Sequence, residues 1–256
     1  MPDEQFKPIA VKPPSDNPLL FRIRCLIDLQ LGSIVKQLRP ELAVMKGRVL
    51  DVGAGESPWR EWLPADTTYH GIDIGNASDF GMHASRNGIT YYDGNLMPFD
   101  DSAYDGAICI EVLEHAKNPE LCLSEIARIL KDQSPLLLSV PWSARRHHIP
   151  HDYHRFTRER LEILFKAAGF ENIDIRERGT DLGAIASKLV VLVARLVPRK
   201  PTFEMLWRVP LSAMCVPLAV IFLFAAHLSE TFGWGAKEDP LGYFVKATRV
   251  RRKGDR

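Results

Sequence analysis

The run Arg48-Val49-Leu50-Asp51-Val52-Gly53-Ala54-Gly55-Glu56-Ser57-Pro58 constrains this chain more than any other. Val49, Leu50 and Val52 read as a short buried strand ending in a turn where Gly53 and Gly55 lack the Cβ that would keep a ligand at a distance. Ser57 is predicted to cap a short helix that starts at Pro58 and continues around Trp59 to Leu63, whose first N–H groups would attract an anionic ligand group. A dinucleotide fingerprint wants a third glycine at position 58, where this chain has proline. The turn therefore fits a cofactor without a pyrophosphate.

The chain downstream extends this corner into a sheet. A second strand, Tyr69 to Ile74, carries Asp73 twenty residues past Gly53. That separation suits an acid at the end of the second strand of an open parallel sheet, where it accepts hydrogen bonds from a ribose diol; the plain alternative is a turn aspartate. Further strands are read at Ile89–Asp93, Asp105–Ile110, Leu136–Val140 and Ile173–Arg176, with helices at 119–131 and from a Thr157 cap to near Ala168, stopped by Gly169. Alternating strands and helices predict a parallel α/β sheet covered on both faces, with ligands at the carboxyl ends of the strands. Gly53, Asp73, Asp93 and Glu111 all fall at such ends. Upstream, apolar residues at 20, 23, 27, 31, 34 and 38 predict one amphipathic helix from Leu19 to Leu38, ended by Arg39-Pro40.

Length and charge set the outer limits. A chain of 256 residues suits one well-buried domain with an extension, and a net charge of +1 gives no argument for nucleic acid. The four cysteines show no C-x-x-C spacing and read as reduced and structural. Met1 to Gln5 offers neither a basic nor an apolar leader region, so the cytoplasm is the expected compartment. Residues 1–18 hold five prolines and are expected to be a mobile arm.

Taken together, Leu50-Asp51-Val52-Gly53-Ala54-Gly55, Gly71-Ile72-Asp73, Asp93 through Met97-Pro98-Phe99, Ile110 through His115 and Leu123 through Lys131 run in one order across residues 48–140. The set resembles the class I S-adenosylmethionine-dependent methyltransferases, in particular the bacterial type 11 group. The resemblance implies a Rossmann-like seven-stranded sheet, mostly parallel with the last strand antiparallel, and S-adenosylmethionine as cofactor. It implies that Gly53, Ala54 and Gly55 hold the methionine end, Asp51 orients its amino group, Asp73 and Ile74 serve the ribose, Asp93 and Gly94 meet the adenine, and Glu111 lies beside the sulfonium. Glu56, and Asp132-Gln133-Ser134-Pro135 in place of a Pro-Gly-Gly turn, depart from that pattern without removing a ligand contact.

Residues 141–157 contain four histidines in eight residues. No cysteine lies nearby and Asp152 is the one carboxylate of the cluster, so no metal is expected. The loop leaves the fifth strand over the expected methyl group, and 151–157 also resembles a stretch of the type 11 group. His151 is the first candidate for a general base and His154 the second, with Glu111 and His115 behind them. The alternative is that these histidines only bond loop backbone.

About sixty residues separate the sixth strand from the best match to the last one, Gly242–Thr248. They hold two apolar runs, Leu182–Val197 and Val209–Leu228, around Pro198-Arg199-Lys200-Pro201. The domain reading is therefore an arm at 1–18, a methyltransferase domain at 19–181 plus 236–256, and an apolar helical hairpin at 182–235. The last strand must return to the sheet, so the hairpin is expected to lie in one leaflet on the inner face of a membrane, contacting it through 182–228, with Pro210 and Pro217 bending the second helix. Arg195, Arg199, Lys200 and the tail from Arg249 would sit near anionic headgroups. The expected acceptor is a small molecule or a lipid-linked or glycan intermediate. The alternatives are a soluble enzyme whose hairpin is a lid or a homodimer interface, and a non-catalytic membrane-associated cofactor-binding protein.

Overall fold

A computed structural model describes residues 8–75, 88–197 and 203–251. Seven strands, β1 (Arg48–Val52), β2 (Thr68–Ile74), β3 (Ile89–Tyr92), β4 (Gly106–Ile110), β5 (Pro135–Pro141), β6 (Phe170–Arg178) and β7 (Gly242–Arg249), form one sheet in the order β3-β2-β1-β4-β5-β7-β6. β1 to β5 pair in parallel, and β7 runs antiparallel between β5 and β6. This is the mixed sheet that the resemblance implied.

Strand alternation sets the two cores. In β1, Val49 points to the face covered by α2 (Leu29–Leu42), with Leu38, Leu42, Ile108 and Leu137. Leu50 and Val52 point to the other face, covered by α3 (Pro119–Ile129) and α4 (Arg158–Ala167), with Leu123, Ile126, Leu161 and Phe165. Asn118 and Thr157 cap those two helices through Leu121 N and Arg160 N.

Three local expectations change. The stretch 19–38 is two helices, α1 (Pro18–Ile27) and α2, because Asp28 leaves helical geometry (φ −87°, ψ 86°) and its carboxylate caps Leu31 N. Leu20, Ile23 and Ile27 are left exposed while Leu31, Ile34 and Leu38 are buried. Pro40 does not stop α2, which closes its last turn around it and reaches Leu42. No helix follows Ser57. Its N–H bonds the Ala54 carbonyl at 2.7 Å, its φ is 52°, and the stretch between Pro58 and Pro64 holds only the 3-10 turn Arg60–Trp62. So short a stretch cannot offset the cost of helix nucleation.

Residues 8–17 of the expected arm are tied down. Arg24 donates to the Ile9 and Ala10 carbonyls, and Ser15 N donates to the Glu61 carboxylate. Residues 1–7 lie outside the described residues.

The insertion is a pair of helices, α5 (Asp181–Leu196) and α6 (Met205–Phe232), packed along each other; α6 is unbroken through Pro210 and Pro217. Their connection, 198–202 with Arg199 and Lys200, lies outside the described residues. α5 leaves the carboxyl end of β6 and α6 returns to Gly242 beside Pro141, the end of β5, so the hairpin stands at the sheet edge where ligands are expected. Of the expected basic tail, residues 252–256 lie outside the described residues. Arg249 pairs across from Phe170 at the amino end of β6 and is buried, donating to the Ala127, Gly169 and Val250 carbonyls. It closes the far end of the sheet and does not sit beside the hairpin.

Candidate functional site

At the carboxyl end of β1 the chain turns through Gly53 (φ 71°), whose N–H and that of Ala54 bond the Ile72 carbonyl at 2.8 and 3.2 Å. A Cβ at Gly53 would strike the Val112 side chain, so the backbone is pressed against the β4 end. Asp73 locks the turn: one carboxylate oxygen accepts from Gly55 N at 2.9 Å and the other from Ile74 N at 2.8 Å. Burial raises the Asp73 pKa against those two hydrogen bonds, which lower it. Asp51 lies deeper than expected. It is 1% exposed, accepts from the Tyr69 hydroxyl at 2.7 Å, and is not part of the cleft wall formed by Val52 to Glu56. Burial pushes its carboxyl up to about 7, the Tyr69 hydrogen bond opposing and Asp73 adding. Asp93, at the end of β3, accepts from the Asn95 backbone and side chain, which hold its carboxyl below its ordinary value. Gly94 lines the cleft beside it.

Glu111 forms the floor with φ 56°, a left-handed backbone uncommon for a side chain of its size. Its Oε1 accepts from Ser139 Oγ and from Arg178 Nη2, each at 2.9 Å. Arg178 is fully buried and also donates to the Val140 and Gln30 carbonyls. Gly242 on β7 makes room for it, since a Cβ there would meet the guanidinium. The sequence reading missed Arg178, because its partners come from α2, β4 and β5 and only the assembled sheet brings them together.

The histidine loop is fixed from both ends. Arg155 grips Asp152 through two hydrogen bonds, 2.6 and 2.9 Å, while Asp152 accepts from His147 N. The Glu114 carbonyl accepts from Tyr153 N and His154 N, fastening the loop to the 3-10 turn Leu113–His115. His115, His147, His148 and His151 line the cleft together with Glu111. His151 Nδ1 lies 3.0 Å from the Tyr153 hydroxyl. His154 is not in the cleft wall; its Nε2 donates to the Ala116 carbonyl at 3.1 Å and its ring packs on Phe156. Burial, with His147 adding, pulls His115 down to about 4 and His148 to about 3. Burial, with Glu111 repelling, raises Glu114 well above its ordinary value.

The cleft between turn, floor and loop has a volume of about 1230 Å³. Single ligand sites fall at roughly 300–1,000 Å³, so this one has room for a cofactor and an acceptor together. The glycine turn pressed on Val112, with both Asp73 oxygens at its edge, is a cradle that suits S-adenosylmethionine.

Comparison with known proteins agrees with this geometry. A family model described as a methyltransferase domain matches residues 27–175, more than half of the chain. The chain is 27% identical over 124 residues to O-methyltransferase rstn1 of Aspergillus nomiae, covering 44% of this chain and 55% of that protein. It is 28% identical over 149 residues to O-methyltransferase cnsE of Penicillium expansum, covering 50% and 54%. The chain thus spans about half the length of the curated relatives it matches. Among solved structures, a SAM dependent methyltransferase from Archaeoglobus fulgidus superposes with a TM-score of 0.53 at 15% identity, covering 91% of this chain and 100% of that one, which shows a shared fold.

Proposed function

The chain belongs to the methyltransferase domain family, and from that premise we propose that it transfers a methyl group from S-adenosylmethionine to an oxygen of an amphiphilic, lipid-linked or glycan acceptor at a membrane surface. When bound, the cofactor supplies an electrophilic methyl group. Gly53, Ala54 and Gly55 would hold its methionine end, Asp73 and Ile74 the ribose, and Asp93 with Gly94 the adenine. Asp51 would act through the Tyr69 hydrogen bond, from beneath the turn. Glu111, kept in place by Arg178, would present its carboxylate to the positive sulfonium. His151, oriented by Tyr153, would accept the acceptor proton, since methyl transfer asks mainly for alignment and proton removal. His154 would serve by holding the loop to Ala116. The oxygen nucleophile is favoured by the two fungal relatives, both named as O-methyltransferases.

The membrane half rests on one observation: the hairpin is built inside out. Its buried positions are mostly small, Gly183, Ala184 and Ala186 on α5 and Ser212, Ala219, Ala226 and Ser229 on α6, with Leu196 the large exception, while large apolar residues such as Trp207, Met214, Leu218, Val220 and Phe224 face outward. A helical lid in water would bury the large residues and expose polar ones; small seams with apolar exteriors are how helices pack in lipid. α6 is long enough to cross a membrane, and only 17% of its most apolar stretch is buried. At 1.5 Å per residue it measures about 42 Å and α5 about 24 Å, against a hydrocarbon core of ~30 Å. The shorter helix and the return to the sheet favour a hairpin dipping into one leaflet, on the cytoplasmic side.

Flotation of the full chain with phosphatidylglycerol-containing vesicles tests this half. Co-flotation is expected; a chain that stays in the aqueous fraction as a stable dimer makes the hairpin a subunit interface instead. Catalysis is tested separately. His151→Ala should lower turnover at least tenfold while leaving cofactor affinity unchanged, and an unaltered rate removes His151 as the base.

A further inference from the structure

We propose that Glu114, His115, His147 and His148 form a binding site for one divalent transition-metal ion of the zinc class, on the acceptor side of the cleft. One nitrogen from each of the three rings lies within 4.8 Å of the other two, and the rings pack edge to face or tilted at 4.8 to 5.3 Å. The order of the chain hid this cluster. His147 and His148 come from the loop after β5, whereas Glu114 and His115 come from the turn after β4, so a carboxylate and a third imidazole from a neighbouring strand end join the two loop histidines.

Two features beyond clustering point to a cation. First, His115 Nδ1 donates to the His151 carbonyl at 2.6 Å and His147 Nδ1 donates to the Arg145 carbonyl at 3.1 Å. In the neutral rings this makes Nε2 the electron-pair donor of each, which is the outer hydrogen bond that metal-ligating histidines characteristically make. Second, both Nε2 atoms face the same oxygen: Glu114 Oε1 lies 3.6 Å from His115 Nε2 and 3.8 Å from His147 Nε2. Glu114 is fully buried, and neither carboxylate oxygen has a hydrogen-bond partner among the described residues. A buried carboxyl group without hydrogen bonds is costly unless it stays neutral, is paired or coordinates a metal. A cation between Glu114 and the three rings supplies what it lacks.

Three imidazoles and a carboxylate are a donor set that zinc accepts. Zinc–nitrogen bonds of about 2.0 Å put neighbouring ligand atoms roughly 3.3 Å apart, so the rings would draw inward, a movement open to side chains on a loop. The ion would border the cleft within reach of an acceptor oxygen and lower the pKa of a hydroxyl bound to it. That use of the ion rests on the methyl-transfer reading; the binding itself does not.

The test is calorimetric titration of the full chain, purification tag removed and stripped with chelator, with zinc chloride and separately with magnesium chloride, no cofactor present. One equivalent of zinc is expected to bind and magnesium is not. His147→Ala, His148→Ala and Glu114→Gln should each weaken zinc binding tenfold or more, with circular dichroism confirming the fold. His147 and His148, partly buried on a loop, keep the test valid if Glu114→Gln does not fold. No zinc binding by the folded wild-type chain, or equal affinity in His147→Ala and His148→Ala, overturns the site. Titration with S-adenosylmethionine in the same preparation separates the two readings: zinc bound without cofactor affinity leaves the metal site standing and removes methyl transfer, and the converse removes only the metal.

Discussion

At the scale of single residues, the fold buries a few titratable groups, Asp51 and His115 among them, and makes their protonation part of stability. Asp51 keeps its proton to about pH 7, against an ordinary value of 3.8. The stability of the neutral buried acid is therefore full below the unfolded value and is lost as pH rises through the folded one. Asp51→Asn retains an oxygen for the Tyr69 hydroxyl and removes the ionisation. Its stability relative to wild type should grow from near zero at about pH 4 to roughly 2–4 kcal/mol at about pH 8. Urea midpoints at three pH values measure this, and parallel curves for the two proteins refute it. His115 and His148 act in the opposite sense. Their values fall to about 4 and about 3, so stability from the neutral rings is full above the unfolded pKa of 6.5 and lost as pH falls through those values.

At the scale of elements, the hairpin seam makes the sharpest contrast. Ala219 is 7% exposed in the seam and Leu218, one residue earlier, is 50% exposed on the outside. Ala219→Phe overfills the α5–α6 contact and should cost roughly 1–3 kcal/mol. Leu218→Gln should stay within about 0.5 kcal/mol of wild type and yet weaken vesicle binding. Thermal melts paired with flotation separate the two, and a reversal of their ranking contradicts the seam. Elements were legible in the sequence where periodicity was long and tertiary demand agreed with it. β1, β2, β4, α3 and α4 fall close to their expected bounds because buried alternation and the caps at Asn118 and Thr157 act locally. The split at Asp28 was hidden because a helical period continues across a one-residue break. The turn after Ser57 was misread because a cap followed by proline signals a helix only if enough chain follows.

At the scale of the whole molecule, the sheet order decides what can meet. Gly53, Asp73, Asp93 and Glu111 were readable as strand ends, and the parallel sheet brings those ends to one cleft. Contacts between distant segments were not readable: Arg178 reaching Glu111, Glu114 facing the histidines, and Arg249 closing the opposite end each depend on register between strands far apart in sequence. The comparisons establish the family and the fold, and one fold serves many acceptors. The cofactor cradle therefore carries the central claim. Calorimetric titration of the folded chain with S-adenosylmethionine and S-adenosylhomocysteine, beside Asp73→Ala, tests it most directly. Wild type is expected to bind in the micromolar range and Asp73→Ala to lose about tenfold or more, each tenfold being ~1.4 kcal/mol. A folded wild-type chain that binds neither compound, or an Asp73→Ala chain that binds both as tightly as wild type, contradicts it.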